Sequence, residues 1–254
     1  PILLIHDTLP GASGYEWSKI EDELAIDHTV YTVDLLGCGR SDKSSITYTN
    51  FVYVQMISDF IKKIIGQKTD VIASGFSGSF VTMACHNEKE LFNKIMLVNP
   101  PSLTQLKQMP NRKDRLLKAA LEIPIFGTLV YHMIVSRANI NNLFIEKMYY
   151  NPFHVDNQMA DAYYEAAHKG GYYTRFLYSS LAAKYININI CHALKALDNS
   201  IYIVEGETEP NGKAVTDDYC ASNPAIEVSV LKETKHLPHV EAPEAFLEQV
   251  KIFF

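Results

Sequence analysis

Three stretches of this chain carry residue types suited to nucleophilic chemistry. The first is Ala73-Ser74-Gly75-Phe76-Ser77-Gly78-Ser79-Phe80, where an apolar run leads into a serine with small residues two positions to either side. A nucleophile on such a strand–turn–helix corner needs small flanks, because a bulky side chain there would clash with the strained turn; Gly75 and Ser79 meet that need around Ser77. A helix beginning just after Ser77 would aim its free N–H groups and positive dipole end at a reacting oxygen. The second stretch, Thr234 to Pro243, offers His236 and His239 after the last strand pattern. His236 lies nearer the strand end and is the candidate general base for Ser77. The third, Val204 to Pro210, offers Glu209, with Glu207 in reserve, as the carboxylate that would orient the histidine. Singly these are weak: a small-residue turn, a helix-entry histidine and surface-loop glutamates have ordinary structural readings. Their order, serine then acid then histidine, each just past a predicted strand end, gives them joint weight.

The elements that must position them follow from the apolar pattern. Ile2–Ile5, 28–34, 70–74, 94–99, 200–205 and 226–231 read as strands; 50–65, 80–86 and 244–253 read as helices. Strands without polar alternation, separated by helices, predict an α/β fold: a mostly parallel central sheet covered on both faces. From about Ser102 to Leu197 the strand signal vanishes. Ile125/Phe126, Leu129/Val130 and Met133/Ile134 step by four along one helix face. The expected division is therefore a core of residues 1–101 and 198–254, interrupted by a helical lid of residues 102–197. The lid holds nine of the fifteen tyrosines, so it is expected to give an apolar, aromatic-walled pocket.

Composition bounds the rest. A chain of 254 residues is one large domain or two small ones, long enough for a core without staples. With 47% apolar and 20% charged residues it reads as an ordinary globular protein, and its net charge of −6 gives no bulk footprint for nucleic acid. Cys38, Cys85, Cys191 and Cys220 form no C-x-x-C pair and read as free thiols in a reducing, cytoplasmic setting. His236-x-x-His239 lacks the companions of a zinc site, so no metal is expected. The longest apolar stretch, 123–135, falls short of the ~20 residues of a membrane span. No signal peptide is visible; the chain opens directly on an apolar strand, as expected if a leader or upstream strands had been trimmed.

The chain resembles the α/β-hydrolase superfamily over nearly its whole length. Asp34-Leu35-Leu36-Gly37-Cys38-Gly39-Arg40-Ser41-Asp42 is similar to the Asp-x-x-Gly-x-Gly-x-Ser loop of that superfamily, His236 to Pro243 resembles its histidine loop, and Leu4-Ile5-His6-Asp7 through Trp17 resembles its oxyanion loop. The helical insert is similar to the lid of pheophytinase-like hydrolases. A dinucleotide reading of Gly37-x-Gly39 fails because Asp42 stands where a third glycine is required, which leaves a tight turn after a strand. Three positions depart from the family pattern: Asp7 for glycine, Ser79 for glycine and Glu209 for aspartate. Two strands that usually precede the first one here are absent from the sequence.

The resemblance implies a serine hydrolase. Ser77 would attack a carbonyl carbon, His236 would shuttle the proton and Glu209 would orient it. The backbone N–H of Gly78 and one from the Thr8–Leu9 region would hold the oxyanion. A small carboxylic ester with an apolar part is the expected substrate, with no organic cofactor. C–C bond or amide hydrolysis on the same triad is the alternative chemistry, and a non-catalytic ligand-binding relative is the alternative class. Epoxide and haloalkane hydrolysis normally use an aspartate nucleophile, and Ser77 argues against both.

Overall fold

A computed structural model describes residues 1–254. Six strands form one sheet: β1 (Ile2–Ile5), β2 (Val30–Val33), β3 (Thr69–Ser74), β4 (Phe92–Val98), β5 (Ile201–Gly206) and β6 (Glu227–Leu231). Their spatial order is β2-β1-β3-β4-β5-β6, and every neighbouring pair is parallel. The apolar runs in these strands follow from burial on both faces. Along β1, β3, β4 and β5 successive side chains alternate between two cores. Leu3, Ile5, Val71, Ala73, Ile95, Leu97 and Ile203 point to one face; Ile2, Leu4, Ile72, Met96, Val98, Tyr202 and Val204 point to the other. Each fully buried aliphatic side chain contributes roughly 1.5–3 kcal/mol. β2 and β6 are the edge strands, and β6 has Glu227, Val228 and Val230 exposed.

Helices cover both faces: α1 (Glu21–Asp27), α2 (Asn50–Phe60) and α3 (Ser77–Asn87) within the first half. Between β4 and β5 the chain is all helical. It runs through α4 (Leu103–Leu106), α5 (Arg112–Glu122), α6 (Pro124–Ile134), α7 (Arg137–Leu143), α8 (Asn157–His168), α9 (Arg175–Ala182) and α10 (Cys191–Ala196). After β5 come α11 (Gly212–Ser222), α12 (Pro238–Glu241) and α13 (Pro243–Phe253). The insert's tyrosines mostly pack. Tyr131, Tyr149 and Tyr163 join Phe144 and Met159 in a third core, closed from below by Ala12, Leu237 and Val240. That core holds the insert against the loops after β1 and before α12, the two loops that carry Asp7 and His236.

The start of α3 differs from the pattern. The apolar periodicity starts a helix only at Phe80, although the serine motif itself calls for one just after Ser77, and α3 begins at Ser77. Serine and glycine are poor helix formers, so local propensity draws the turn too long. Packing overrides it: Ser77, Gly78 and Ser79 are all buried, and the Thr82 hydroxyl donates to the Gly78 carbonyl at 2.7 Å inside the helix.

Candidate active site

The sharp corner between β3 and α3 falls on Gly75, two residues before Ser77. Gly75 has φ +52°, in the left-handed region that glycine adopts without strain. Its N–H donates to the Val98 carbonyl at 2.9 Å. A Cβ built on it would fall inside the Asp7 carboxylate. The side chain of Asp7, from the loop after β1, thus fills the volume that a residue at the corner would otherwise use.

Two backbone donors converge on that carboxylate. Asp7 Oδ1 accepts from Phe76 N–H at 2.7 Å and from Thr8 N–H at 2.6 Å. This pair, one donor just after the corner and one from the loop after β1, is the arrangement that holds an oxyanion in acyl-transfer enzymes. Asp7 Oδ2 lies 3.3 Å from His236 Nε2, and His236 Nδ1 lies 3.2 Å from Glu209 Oε1. The result is a row Asp7–His236–Glu209, with the ring clamped between two carboxylates. Burial pulls the His236 imidazolium toward lower pKa, but the hydrogen bonds and charges of Asp7 and Glu209 outweigh it and raise the value to about 10.

Each sequence candidate has a definite place. Ser77 lies within the first turn of α3, fully buried; its hydroxyl donates to the His6 carbonyl at 2.6 Å, pairs with the Thr8 hydroxyl at 3.0 Å, and makes no hydrogen bond to His236. The expectation that Ser77 occupies the strained corner is therefore corrected to Gly75. Gly78 N–H donates to the Gly75 carbonyl at 3.2 Å within the turn, so the donor beside the reactive position is Phe76 rather than Gly78. Of the Thr8–Leu9 pair, Thr8 N–H reaches Asp7, whereas the Leu9 carbonyl receives Ala12 N–H. Glu207 faces away and accepts from Glu233 N–H at 3.0 Å. His239 is sealed inside the protein beside Glu16. His6 shapes its loop, its Nε2 accepting from Leu35 N–H at 3.0 Å. Cys38 is buried, and burial pushes its thiol well above the usual range.

Sequence reading missed Asn99. It ends β4 with φ +43°; its amide nitrogen donates to the Lys235 and His236 carbonyls at 2.8 and 2.9 Å, and its oxygen accepts from Gly206 N–H at 2.9 Å. It fastens the histidine loop to the end of β5. A single asparagine after a strand carries no pattern that announces this. The shift from Ser77 to Gly75 did have a signal: Ala73-Ser74-Gly75-Phe76-Ser77 also has small residues two positions either side of its centre.

A cavity of about 260 Å³ opens on this row, bounded by Asp7, Gly75, Phe76, Glu209 and His236. Across it stand Ser102, Gln105, Glu205 and Thr216. Only Phe76 and Val215 among its lining residues are hydrophobic, and no tyrosine lines it. The expected aromatic-walled pocket is thus replaced by a polar one: Tyr131, Tyr149 and Tyr163 are taken up by the third core, and Tyr150, Tyr172 and Tyr173 face solvent. Glu205 is nearly buried and accepts from the Thr216 hydroxyl at 2.9 Å; burial raises its carboxyl above the ordinary range.

A parallel sheet with a histidine–carboxylate row over the carboxyl ends of its strands defines an α/β-hydrolase enzyme. The sequence model of the Alpha/beta hydrolase family matches residues 2–249, and the chain belongs to that family. Over 105 residues, 41% of this chain and 36% of the relative, it is 29% identical to the 2-hydroxy-6-oxo-6-(2'-aminophenyl)hexa-2,4-dienoic acid hydrolase of Metapseudomonas resinovorans. Over 104 residues, 41% of this chain and 30% of the relative, it is 26% identical to an uncharacterized protein of Mycobacterium tuberculosis. The chain thus matches about a third of the length of these relatives. Among solved structures, a serine hydrolase involved in carbazole degradation superposes with a TM-score of 0.79 at 18% identity, covering 100% of this chain and 90% of that one. The epoxide hydrolase CorEH superposes with a TM-score of 0.80 at 16% identity, with the same coverage. At these identities the likeness is one of fold.

Proposed function

We propose that this protein is a hydrolase that uses Asp7, rather than a serine, as its nucleophile, and that its substrates are small polar epoxides. The observation that carries this reading is the position of the Asp7 carboxylate, with one oxygen on the Thr8 and Phe76 N–H groups and the other facing His236 Nε2. A carboxylate displaces well at a strained or activated sp³ carbon, whereas at an ester carbonyl it would yield only an anhydride. Ester hydrolysis through Ser77 has less support, because that hydroxyl is buried and donates to a backbone carbonyl. An epoxide hydrolase shares the fold, so the scaffold is compatible with the chemistry. The small polar cavity suits a compact substrate bearing hydroxyl or amide groups.

The steps balance. Asp7 Oδ2 attacks a ring carbon, the C–O bond breaks, and the departing oxygen takes the proton of the His236 imidazolium. Asp7 is then a neutral ester, so His236 has lost one of the two anions that raised its pKa. The neutral ring takes a proton from water as the hydroxide adds to Asp7 Cγ. Negative charge develops on Oδ1, already aligned with the Thr8 and Phe76 N–H groups. Collapse breaks the ester bond. The proton of the added hydroxyl passes to the departing alkoxide, releasing a diol and restoring carboxylate and imidazolium. Glu209 keeps the ring oriented and its charge offset throughout. The helical insert serves as a lid, contributing Ser102 and Gln105 to the far wall.

The test is covalent trapping with glycidol. The parent enzyme quenched in acid during glycidol turnover should carry the added epoxide mass on Asp7 by peptide mass spectrometry, and Asp7→Asn should not. Fluorophosphonate labelling of Ser77 that abolishes turnover, with no adduct on Asp7, would overturn the reading.

A further inference from the structure

The outer face of the insert carries an apolar surface with no cover. Leu116, Leu117, Ile123, Ile125, Phe126, Leu129 and Met133 are exposed, with Leu116, Ile125 and Met133 each 70% or more accessible. They cluster on one corner, where α5 and α6 meet at a bend of 95°. The corner is locked. Its inner side buries Leu121 and Tyr131, and a Cβ on Gly127 would strike the Leu121 carbonyl, so the two helices approach as closely as backbone allows. The apolar residues therefore face outward as a consequence of the packing.

The rim of this surface is cationic. Lys107, Arg112, Lys113 and Arg115 are exposed and form no ion pair. The acids nearby are engaged: Asp114 is buried in the α5 capping box and pairs with Lys184, and Glu122 pairs with Lys118. A cationic rim on a chain of net charge −6 is a local contrast. An apolar face bordered by free cations matches the two layers of an anionic bilayer surface, acyl chains within and phosphates above. No single helix here is long and apolar enough to cross a membrane; α5 and α6 together reach that length and composition, but their 95° bend suits an apolar corner laid on a surface better than a straight span.

We propose that the α5–α6 corner docks on anionic phospholipid membranes, with Phe126, Leu129 and Met133 entering the headgroup layer and Arg112, Lys113 and Arg115 meeting phosphates. This goes beyond the reaction chemistry and does not depend on it. The same insert borders the active-site cavity through Ser102 and Gln105.

Co-sedimentation with vesicles tests it. The full chain should pellet with vesicles containing phosphatidylglycerol and remain in solution with pure phosphatidylcholine. Replacing Arg112, Lys113 and Arg115 together by Gln should weaken binding about a hundredfold, taking each cation near the surface at its usual ~1 kcal/mol. The triple change Phe126→Ser, Leu129→Ser and Met133→Ser should abolish it, with circular dichroism confirming the fold. Equal binding to neutral vesicles, no binding to either, or a concentration-dependent dimer that the apolar variant disperses without any vesicle binding would overturn the proposal.

Discussion

Two histidines three residues apart, one in the loop before α12 and one within α12, each meet a carboxylate, and their surroundings differ in almost every other respect. His236 is 18% exposed, opens on a cavity and lies within 3.3 Å of acids on both ring nitrogens. His239 is fully buried, stacks on Trp17 at 4.3 Å and lies 3.3 Å from the equally buried Glu16, without the alignment of a hydrogen bond. Glu16 Oε2 accepts Asp7 N–H and the Tyr163 hydroxyl, both at 3.3 Å. Burial pushes the Glu16 carboxyl upward, but His239 and His6 outweigh it and hold it below the ordinary value. The two clusters are back to back on the Asp7 backbone. Access is what separates them: one histidine can reach water and substrate, while the other buttresses the loop and links it to α8 through Tyr163.

Substitutions in the two clusters should therefore separate activity from stability. The largest effect is expected from Asp7→Asn, which keeps the shape and removes the nucleophilic charge; kcat/KM for epoxide opening should fall about 10⁴-fold, measured by steady-state kinetics. Glu209→Gln leaves His236 its Asp7 partner but removes the charge behind it, and kcat should fall ~10³-fold with KM nearly unchanged. The sealed cluster should respond in stability instead. Glu16→Gln breaks a buried pair and should cost about 3–5 kcal/mol in denaturant unfolding, with kcat of the folded fraction within about tenfold of the parent.

Acidity probes the open histidine directly. The folded-state pKa of His236 is raised from 6.5 to about 10, so its contribution to stability is complete below pH 6.5 and is lost as pH rises toward 10. The thermal midpoint should decline across that window in the parent and more shallowly in His236→Phe. The smallest effect is expected from Ser77→Ala. It leaves the His6 carbonyl without its donor, at a cost of roughly 1–3 kcal/mol, and kcat should change only a few-fold. A loss of turnover on the scale of Asp7→Asn would return the nucleophile to Ser77.

Much of the scaffold was legible. The apolar runs gave all six strands to within two residues at each end, because burial on both faces keeps the four inner strands mostly apolar and β-branched residues mark the two edges. In the sequence the turns after β3, β5 and β6 carry the catalytic candidates, and the loop after β1 carries the oxyanion donor that the resemblance implies. Legibility failed at the β3–α3 corner, where small residues recur at Ala73, Ser74, Gly75, Ser77, Gly78 and Ser79, so two registers satisfy one pattern. Asp7 stood out as a departure from glycine, yet nothing local says where its carboxylate goes.

Strands, helical insert, and a histidine and a glutamate in loops at one edge of the sheet can be read along the chain; the role of Asp7 cannot. Hydrophobic period and turn residues act over a few positions, so their message is local. Two choices are not local, Gly75 rather than Ser77 at the corner and Asp7 in the space Gly75 leaves, while the preference for His236 over His239, made from its place nearer the strand end, gains its physical reason from the burial of His239. Those two choices were made by folding, through contacts between residues 69 to 229 positions apart.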